Sequence, residues 1–266
     1  LSGNFIPIRA ADDPRVAAYT AIREKDLTAG HGARFIVEGR VTLETLLIRS
    51  NFAIESLFLA ESRLEPLNGL LGLVPDSVPI YVAPQEIMDD VVGFPIHRGV
   101  LACARKGVPL DTVSLLQNAR TVLVTIGLSN HDNTGACFRN AAAFGADAVL
   151  LDQTCCDPLY RKSIRVSAGA ALRLPFVHGG TGADIFDGLD AAGFTLWCLT
   201  PTLSAEPLNT LTAPTKLALV LGPEGPGLPD DLLKRGKQVR IAMADGFDSL
   251  NVATAGAIAL SAVFRG

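Results

Sequence analysis

KLALVLGPEGPGLPDDLL, residues 216–233, carries the decision about the fold. Leu217 to Leu221 is an unbroken apolar run without the alternation of a half-exposed strand, so it reads as a strand buried on both faces. The run ends in Gly222-Pro223-Glu224-Gly225-Pro226-Gly227, and a helix is predicted from about Asp230 to Arg235. The same strand-then-helix pattern extends outward in both directions. Upstream stand TVLVTIGL (121–128), a helix around Asn133 to Gly145, DAVLLD (147–152), a helix through Tyr160 to Ala170, a short strand at Leu174 to Val177, a helix near Asp184 to Ala192, and FTLWCLT (194–200). Downstream follow QVRIAM (238–243) and a last helix from Ser249. Apolar strands alternating with helices predict an α/β fold with a mostly parallel sheet covered on both faces. Ligands of such sheets sit beyond the carboxyl ends of the strands, which points to the residues after Gly127, Asp152, Leu199, Leu221 and Met243.

Further toward the N-terminus the pattern is smaller in scale. Asp13-Pro14 reads as a cap and first residue of a helix to about Leu27. Strands at Arg34 to Glu38, Ile54 to Ala60, Ile80 to Ala83 and Gly99 to Arg105 alternate with helices at Arg40 to Arg49, Ser62 to Leu71 and Gln85 to Val92. The Gly-, Pro- and polar-rich KGVPLDTVSLLQNAR (106–120) is the best linker, which predicts a small α/β domain over residues 1–110 and a larger one over 120–266. A length of 266 residues accommodates both.

With 48% hydrophobic and 19% charged residues the chain is expected to fold rather than stay disordered. The net charge of -4 argues against binding nucleic acid through bulk basicity. Neither half is a polycation: up to Ala119 there are 11 Lys and Arg against 14 Asp and Glu, and from Arg120 onward 12 against 13. No apolar run reaches the roughly 18 residues of a membrane span, and the first residues read as no secretion signal. Cys103, Cys137, Cys155, Cys156 and Cys198 form no zinc pattern, and an odd count suits a reducing compartment, so a cytoplasmic protein without metal is expected. His31, His97, His131 and His178 are scattered and read as structural.

Three segments carry polar residues at strand ends. In the first, residues 222–227, glycine permits close backbone approach and proline stiffens the loop, as gripping a cofactor requires; a plain tight βα connection uses the same residues. It is not a phosphate-cradling Walker loop, because no GK[ST] follows. In the second, IAMADGFDSLNVATAGAIAL (241–260), Ser249 is well placed as an N-cap and Asn251 stands in the first turn beside the positive helix end. Ala and Gly residues from Ala253 onward let another backbone come close. In the third, NTGACFRNAAAFGADAVLL (133–151), Asn133 can cap the helix that carries Arg139, an isolated cation among small apolar neighbours that calls for a phosphate or carboxylate partner. Arg161, Lys162 and Arg165 cluster as a phosphate-tracking surface does, or as a solvated helix face does. Two other enzyme classes fall away. His178-Gly179-Gly180 is similar to a hydrolase oxyanion loop, but no serine sits in GxSxG, and Gly30-His31-Gly32 lacks the third glycine of a dinucleotide site.

Taken in order, NTGACFRNAAAFGADAVLL, LVLGPEGPGL and IAMADGFDSLNVATAGAIAL resemble the three signature motifs of SpoU-type, TrmH-like RNA ribose 2'-O-methyltransferases of the SPOUT superfamily. RFIVEGRVTLETLL (34–47) and IHRGVLACARK (96–106) resemble the small RNA-binding domain that often precedes them. The resemblance implies a C-terminal parallel-sheet domain with a deep trefoil knot, S-adenosylmethionine as cofactor, RNA as substrate, and a homodimer formed through that domain. By motif, the catalytic residues would be Asn133, Arg139, Glu224, Ser249 and Asn251. The cofactor would lie against Thr200, Leu221, Gly222, Glu224, Gly225, Ile241, Met243, Ser249 and Leu250. RNA would be held by Arg34, Arg98, Arg139, Arg161, Lys162 and Arg165. Ala253 and Gly256 depart from the Ser and Ala more usual in the family and bear on packing. A non-catalytic RNA-binding or assembly protein on this scaffold would show damage at Arg139, Glu224 or Asn251, and a base-methylating relative would lack the intact Ser249-Leu250-Asn251.

Overall fold

The computed structural model describes residues 4–22 and 34–264, which divide into two compact units. One comprises the chain up to Val108 together with Leu159–Arg173; the other comprises Pro109–Pro158 and the chain from Leu174 onward.

In the first unit the chain runs through β1 (Phe5–Pro7), β2 (Arg34–Glu38), α1 (Arg40–Arg49), β3 (Ile54–Ala60), α2 (Leu64–Leu71), β4 (Ile80–Ala83), α3 (Gln85–Val92) and β5 (Val100–Arg105). The strands form one sheet in the order β1-β4-β3-β5-β2, with β5 antiparallel to both of its neighbours. Its core gathers Tyr19, Phe58, Met88 and Leu101. The helix expected from Asp13-Pro14 is a 3-10 turn over Pro14–Tyr19, capped as anticipated by the Asp13 carboxylate, which accepts from the Arg15 backbone at 2.9 Å. The end of that expected helix, from residue 23, and His31 lie outside the described residues.

The second unit continues with α4 (Thr112–Asn118), β6 (Thr121–Thr125), α5 (His131–Ala143) and β7 (Ala148–Leu151). The chain then supplies α6 (Arg161–Val166) and α7 (Ala170–Arg173) to the first unit before returning. It completes the second unit with β8 (Phe176–His178), α8 (Gly182–Ala191), β9 (Thr195–Leu199), β10 (Glu206–Pro207), β11 (Leu217–Leu221), α9 (Asp230–Leu233), β12 (Lys237–Arg240) and α10 (Val252–Val263). All seven strands pair in parallel in the order β10-β12-β9-β11-β6-β7-β8. The deciding strand, β11, is buried at every position and lies between β9 and β6. Because both faces of β11 are covered, its side chains need no polar alternation.

Four local expectations are corrected. The linker expected at 106–120 contains α4, capped by Asp111, which accepts from Ser114 N at 2.8 Å; Leu116 and Ala119 enter the second unit's core. The single helix expected through Tyr160 to Ala170 is two short ones, interrupted where Ala168 and Gly169 take positive φ of 51° and 83°. A Cβ on Gly169 would stand 2.8 Å from Thr45 Oγ1, so this corner packs onto α1 only as glycine. That packing places Leu159–Arg173 with the first unit instead of the domain expected over 120–266. Finally, α5 is capped by Asn130, not Asn133, and α10 by Asn251, not Ser249.

Candidate functional site

Three loops follow the carboxyl ends of adjacent parallel strands β9, β11 and β12, and between them lies an open cavity. Its lining includes Thr200 after β9, Leu221, Gly222, Glu224 and Gly225 at the end of β11, and Ile241, Met243, Ser249 and Leu250 after β12. Every residue named from sequence as a cofactor contact is therefore on one cavity wall. Leu199, Val239, Val252 and Ala255 line it as well and were not named. The first two are apolar residues at strand ends, and the carboxyl-end rule was the signal that could have found them.

The loop owes its path to Gly222, where a Cβ would stand 2.4 Å from the backbone N of Leu228 and 2.8 Å from the carbonyl carbon of Gly227. No side chain fits between two backbone segments that close. Gly225 and Gly227 follow with φ of 90° and 71°. On the other side α10 comes close to β11 at Gly256, where a Cβ would meet Leu221 Cδ1 at 2.9 Å. The small residues of α10 thus bring its first turn up to the cavity.

At that first turn Asn251 is joined to two others of the five expected catalytic residues, Asn133 and Glu224. Its side-chain carbonyl accepts from Ala253 N at 3.0 Å and Thr254 N at 3.2 Å, capping α10. Its amide NH2 donates to Asn133 Oδ1 at 2.9 Å and to Glu224 Oε1 at 3.2 Å. Asn133 is buried, whereas Glu224 and Asn251 are exposed. The neighbouring Asn140 amide donates to the Ala253 carbonyl at 2.9 Å and ties α5 to α10. Ser249 is at the cavity edge with its hydroxyl donating to Asp248 at 3.3 Å.

Arg139 is not drawn into this cluster. It is exposed, and six residues after Asn133 on α5 its side chain points about 120° around the helix from it. The other expected RNA contacts belong to the first unit, where Arg34 pairs with Glu55 at 2.5 Å, and Arg98, Arg161 and Arg165 surround Glu38, with Lys162 on the same short helix α6. Glu38 was missed by sequence reading, although a carboxylate in the apolar strand RFIVE was a signal. No thiol is poised to react: burial pushes Cys137, Cys155 and Cys198 up to about 12 and Cys103 up to about 11, and raises the half-buried Cys156 as well. His178 bonds the Cys155 carbonyl at 3.0 Å, a structural tie. Among the described residues no group of three or more His, Cys, Asp or Glu could hold a metal, and no helix is long and apolar enough to cross a membrane.

The model of the SpoU rRNA methylase family matches residues 120–261. The chain belongs to the SpoU family. It is 39% identical over 256 residues to a Mycobacterium bovis protein described as an uncharacterized tRNA/rRNA methyltransferase, covering 93% of this chain and 88% of that one. It is 31% identical over 220 residues to the 23S rRNA (guanosine-2'-O-)-methyltransferase RlmB of Photobacterium profundum, covering 77% and 85%. The fold matches an AdoMet-bound rRNA methyltransferase from Sinorhizobium meliloti with a TM-score of 0.79 at 20% identity over 98% of this chain and 97% of that one. The chain is thus an RNA methyltransferase of the SpoU family, whose methyl donor is S-adenosylmethionine.

The cavity of this SpoU chain suits that donor on its own geometry. Leu199, Leu221, Ile241, Met243 and Leu250 offer an apolar slot for a flat base, while the open space beside Gly225, where a Cβ would meet nothing within 4 Å, leaves backbone accessible. The polar Glu224, Ser249 and Thr200 stand at its edge for hydroxyl and amine groups.

Proposed function

We propose that this chain methylates the 2'-hydroxyl of a ribose in structured RNA, ribosomal or transfer RNA, in the cytoplasm. The observation that carries this reading is the Asn251 amide bonded at once to Asn133 and Glu224 beside the cavity. Those three residues come from the three segments whose order resembles the ribose-methylating motifs. In this reading the first unit, the chain up to Val108 with Leu159–Arg173, gathers the RNA, the second unit carries out the transfer, the cofactor loops belong to a trefoil knot, and the C-terminal domain forms a homodimer.

Bound S-adenosylmethionine supplies an electrophilic methyl on a positively charged sulfur. The chain's part is mainly positioning, since in-line transfer demands that nucleophile and methyl share an axis. Glu224 and Asn251 hold the β11 loop against the start of α10, and Ser249 offers a hydroxyl at the cavity edge to orient the sugar. Arg139 binds the phosphate next to the target ribose and favours deprotonation of the hydroxyl by its charge; a guanidinium offers five N–H donors and no acceptor, so it does not take up the proton itself. Its exposure on α5 leaves it open to RNA, and in a homodimer it serves a site built with the second copy.

The test is transfer of labelled methyl from S-adenosylmethionine to total ribosomal and transfer RNA, followed by nucleoside analysis. Label in a 2'-O-methylnucleoside supports the proposal; label on a base overturns it. Arg139→Ala is expected to lower transfer by about 100-fold or more while cofactor affinity holds. Loss of both together would contradict the role given to Arg139.

A further inference from the structure

The connection from β12 to α10 does two different things along its length. Ile241 and Met243 near its start, and Ser249 and Leu250 near its end, line the cavity. Between them the chain turns. Phe247 N donates to the Ala244 carbonyl at 3.2 Å, and Gly246 takes the positive φ, 85°, that the third residue of a type II turn requires. The turn carries Phe247 off the cavity lining and leaves it 74% exposed, two residues before Ser249 at the cavity edge. Phe264, the other exposed phenylalanine among the described residues, packs its ring edge-on against Phe144. Phe247 has no aromatic or cationic partner among them.

A single exposed apolar side chain needs no explanation, but the placement of these does. Of the three most exposed large apolar side chains described in the second unit, Leu203, Val113 and Phe247, two stand on loops that border the cavity. Those two loops leave the sheet side by side, since β9 and β12 pair directly and Thr200 N bonds the Val239 carbonyl at 3.0 Å. Val113 is at the opposite edge, on α4 ahead of the amino end of β6. What meets the rim follows from the reaction. A nucleotide's base is bonded to the sugar carbon next to the one that bears the 2'-hydroxyl, so the base stands beside the mouth whenever the hydroxyl is at it. In structured RNA a nucleotide drawn out of its stack gives up contact on its flat faces, and an aromatic ring restores that contact. The exposed carboxylates of Asp245 and Asp248 flank the ring and repel phosphate, which leaves a base rather than the backbone as its partner.

We propose that Phe247 is a stacking platform for the base of the nucleotide whose ribose is methylated. The proposal deepens the reading of the chain as a ribose methyltransferase and rests on it. Every base has a flat face to offer, so the ring places the target nucleotide without selecting which base it carries.

The experiment uses the full chain with total ribosomal RNA and total transfer RNA as probes and measures single-turnover methyl transfer. Phe247→Ala is expected to slow transfer by about tenfold, the order of magnitude of one lost base stack, with S-adenosylmethionine affinity unchanged. Phe247→Tyr keeps a ring and should stay near the wild-type rate. Phe247→Leu keeps apolar bulk without a flat face and should be as slow as the alanine, while Val113→Ala, which removes a side chain of similar exposure from the opposite edge, should change nothing. A fully active leucine variant overturns the platform. So does a loss of cofactor affinity in Phe247→Ala, which would make the ring a support of the loop, or a change in its sedimentation, which would place the ring between two copies of the chain. Fluorescence gives a readout that needs no methyl transfer. The chain's one tryptophan, Trp197, is buried, so Phe247→Trp adds an exposed indole whose emission should be quenched as RNA saturates it. Unchanged emission with RNA bound overturns the platform. If the wild-type chain labels no RNA while the indole is quenched, the base contact stands and the catalytic reading fails.

Discussion

Asn251 uses its carbonyl oxygen for the backbone of α10 and its NH2 for Asn133 and Glu224, so its two ends can be separated by substitution. Asn251→Ala removes a cap worth about 1 kcal/mol and leaves the buried Asn133 oxygen without its donor at about 1–3 kcal/mol. We expect a total loss of about 2–4 kcal/mol in denaturant unfolding. Asn251→Asp keeps the cap but sets a carboxylate against Glu224. It is expected to abolish methyl transfer while costing less stability than the alanine, and an active aspartate variant would remove Asn251 from the site. Sequence points to Ser249 and Asn133 as the caps, whereas Asn251 and Asn130 hold those places. Such residues are near equals as caps, and only the long-range bond between Asn251 and Asn133 decides which side chain turns outward. The buried thiols yield a further expectation at this scale. Cys137, Cys155 and Cys198 are pushed up to about 12 by burial, so the folded state keeps protons that the unfolded chain, with thiols near 8.5, has lost. Stability therefore falls as pH rises from about 9 toward 12, by up to about 1.4 kcal/mol per pH unit for each thiol. Unfolding midpoints at pH 8 and 10 check this, and equal midpoints would mean that the thiols ionise within the fold.

Among elements, the loop after β11 shows what sequence makes visible and what it hides. A buried run followed by three glycines and two prolines marks a rigid loop, but which glycine is indispensable depends on the chain that passes beneath it. Gly222→Ala would drive a Cβ into the backbone of Gly227 and Leu228, and we expect cofactor affinity to fall at least about tenfold, with about 1–3 kcal/mol of lost stability. Gly225 has open space and only its φ of 90° to defend. Gly225→Ala should cost about 1–2 kcal/mol while leaving more of the affinity intact. Calorimetric titration of both variants with S-adenosylmethionine checks the order, and a reversed ranking would show that φ rather than close approach governs the loop. The strands were legible because parallel strands buried on both faces have a signature of their own. The break at Ala168-Gly169 was not, since the neighbour that its glycine must clear is Thr45, more than 120 residues earlier in the chain. Nor was α4, where Gly107 and Pro109 suggested a linker while Asp111 and Leu116 supplied the cap and the buried contact of a short helix.

At the scale of the molecule, each unit has its own core, one around Phe58 and Met88 and the other around Val124, Phe186 and Val220. Sequence order separates them only roughly, because Leu159–Arg173 joins the first unit through contacts such as Arg161 to Glu38 that no linear reading contains. Every residue lining the cavity proposed for the cofactor belongs to the second unit. A ligand stabilises only what must fold to bind it, so S-adenosylmethionine at 100 times its Kd adds about 2.7 kcal/mol to the second unit and nothing directly to the first. For a unit of this size that amounts to a rise of roughly 5–10 °C in its melting temperature. Scanning calorimetry should therefore show two transitions, of which the cofactor raises one. A paired variant, Arg98→Ala with Arg165→Ala, altered only in the first unit, should leave that shift as large as in the wild type. A single transition moving as a whole would mean that the shuttling of the chain between the units, out at Pro158 and back at Leu174, couples the cores more strongly than their separate hydrophobic clusters imply.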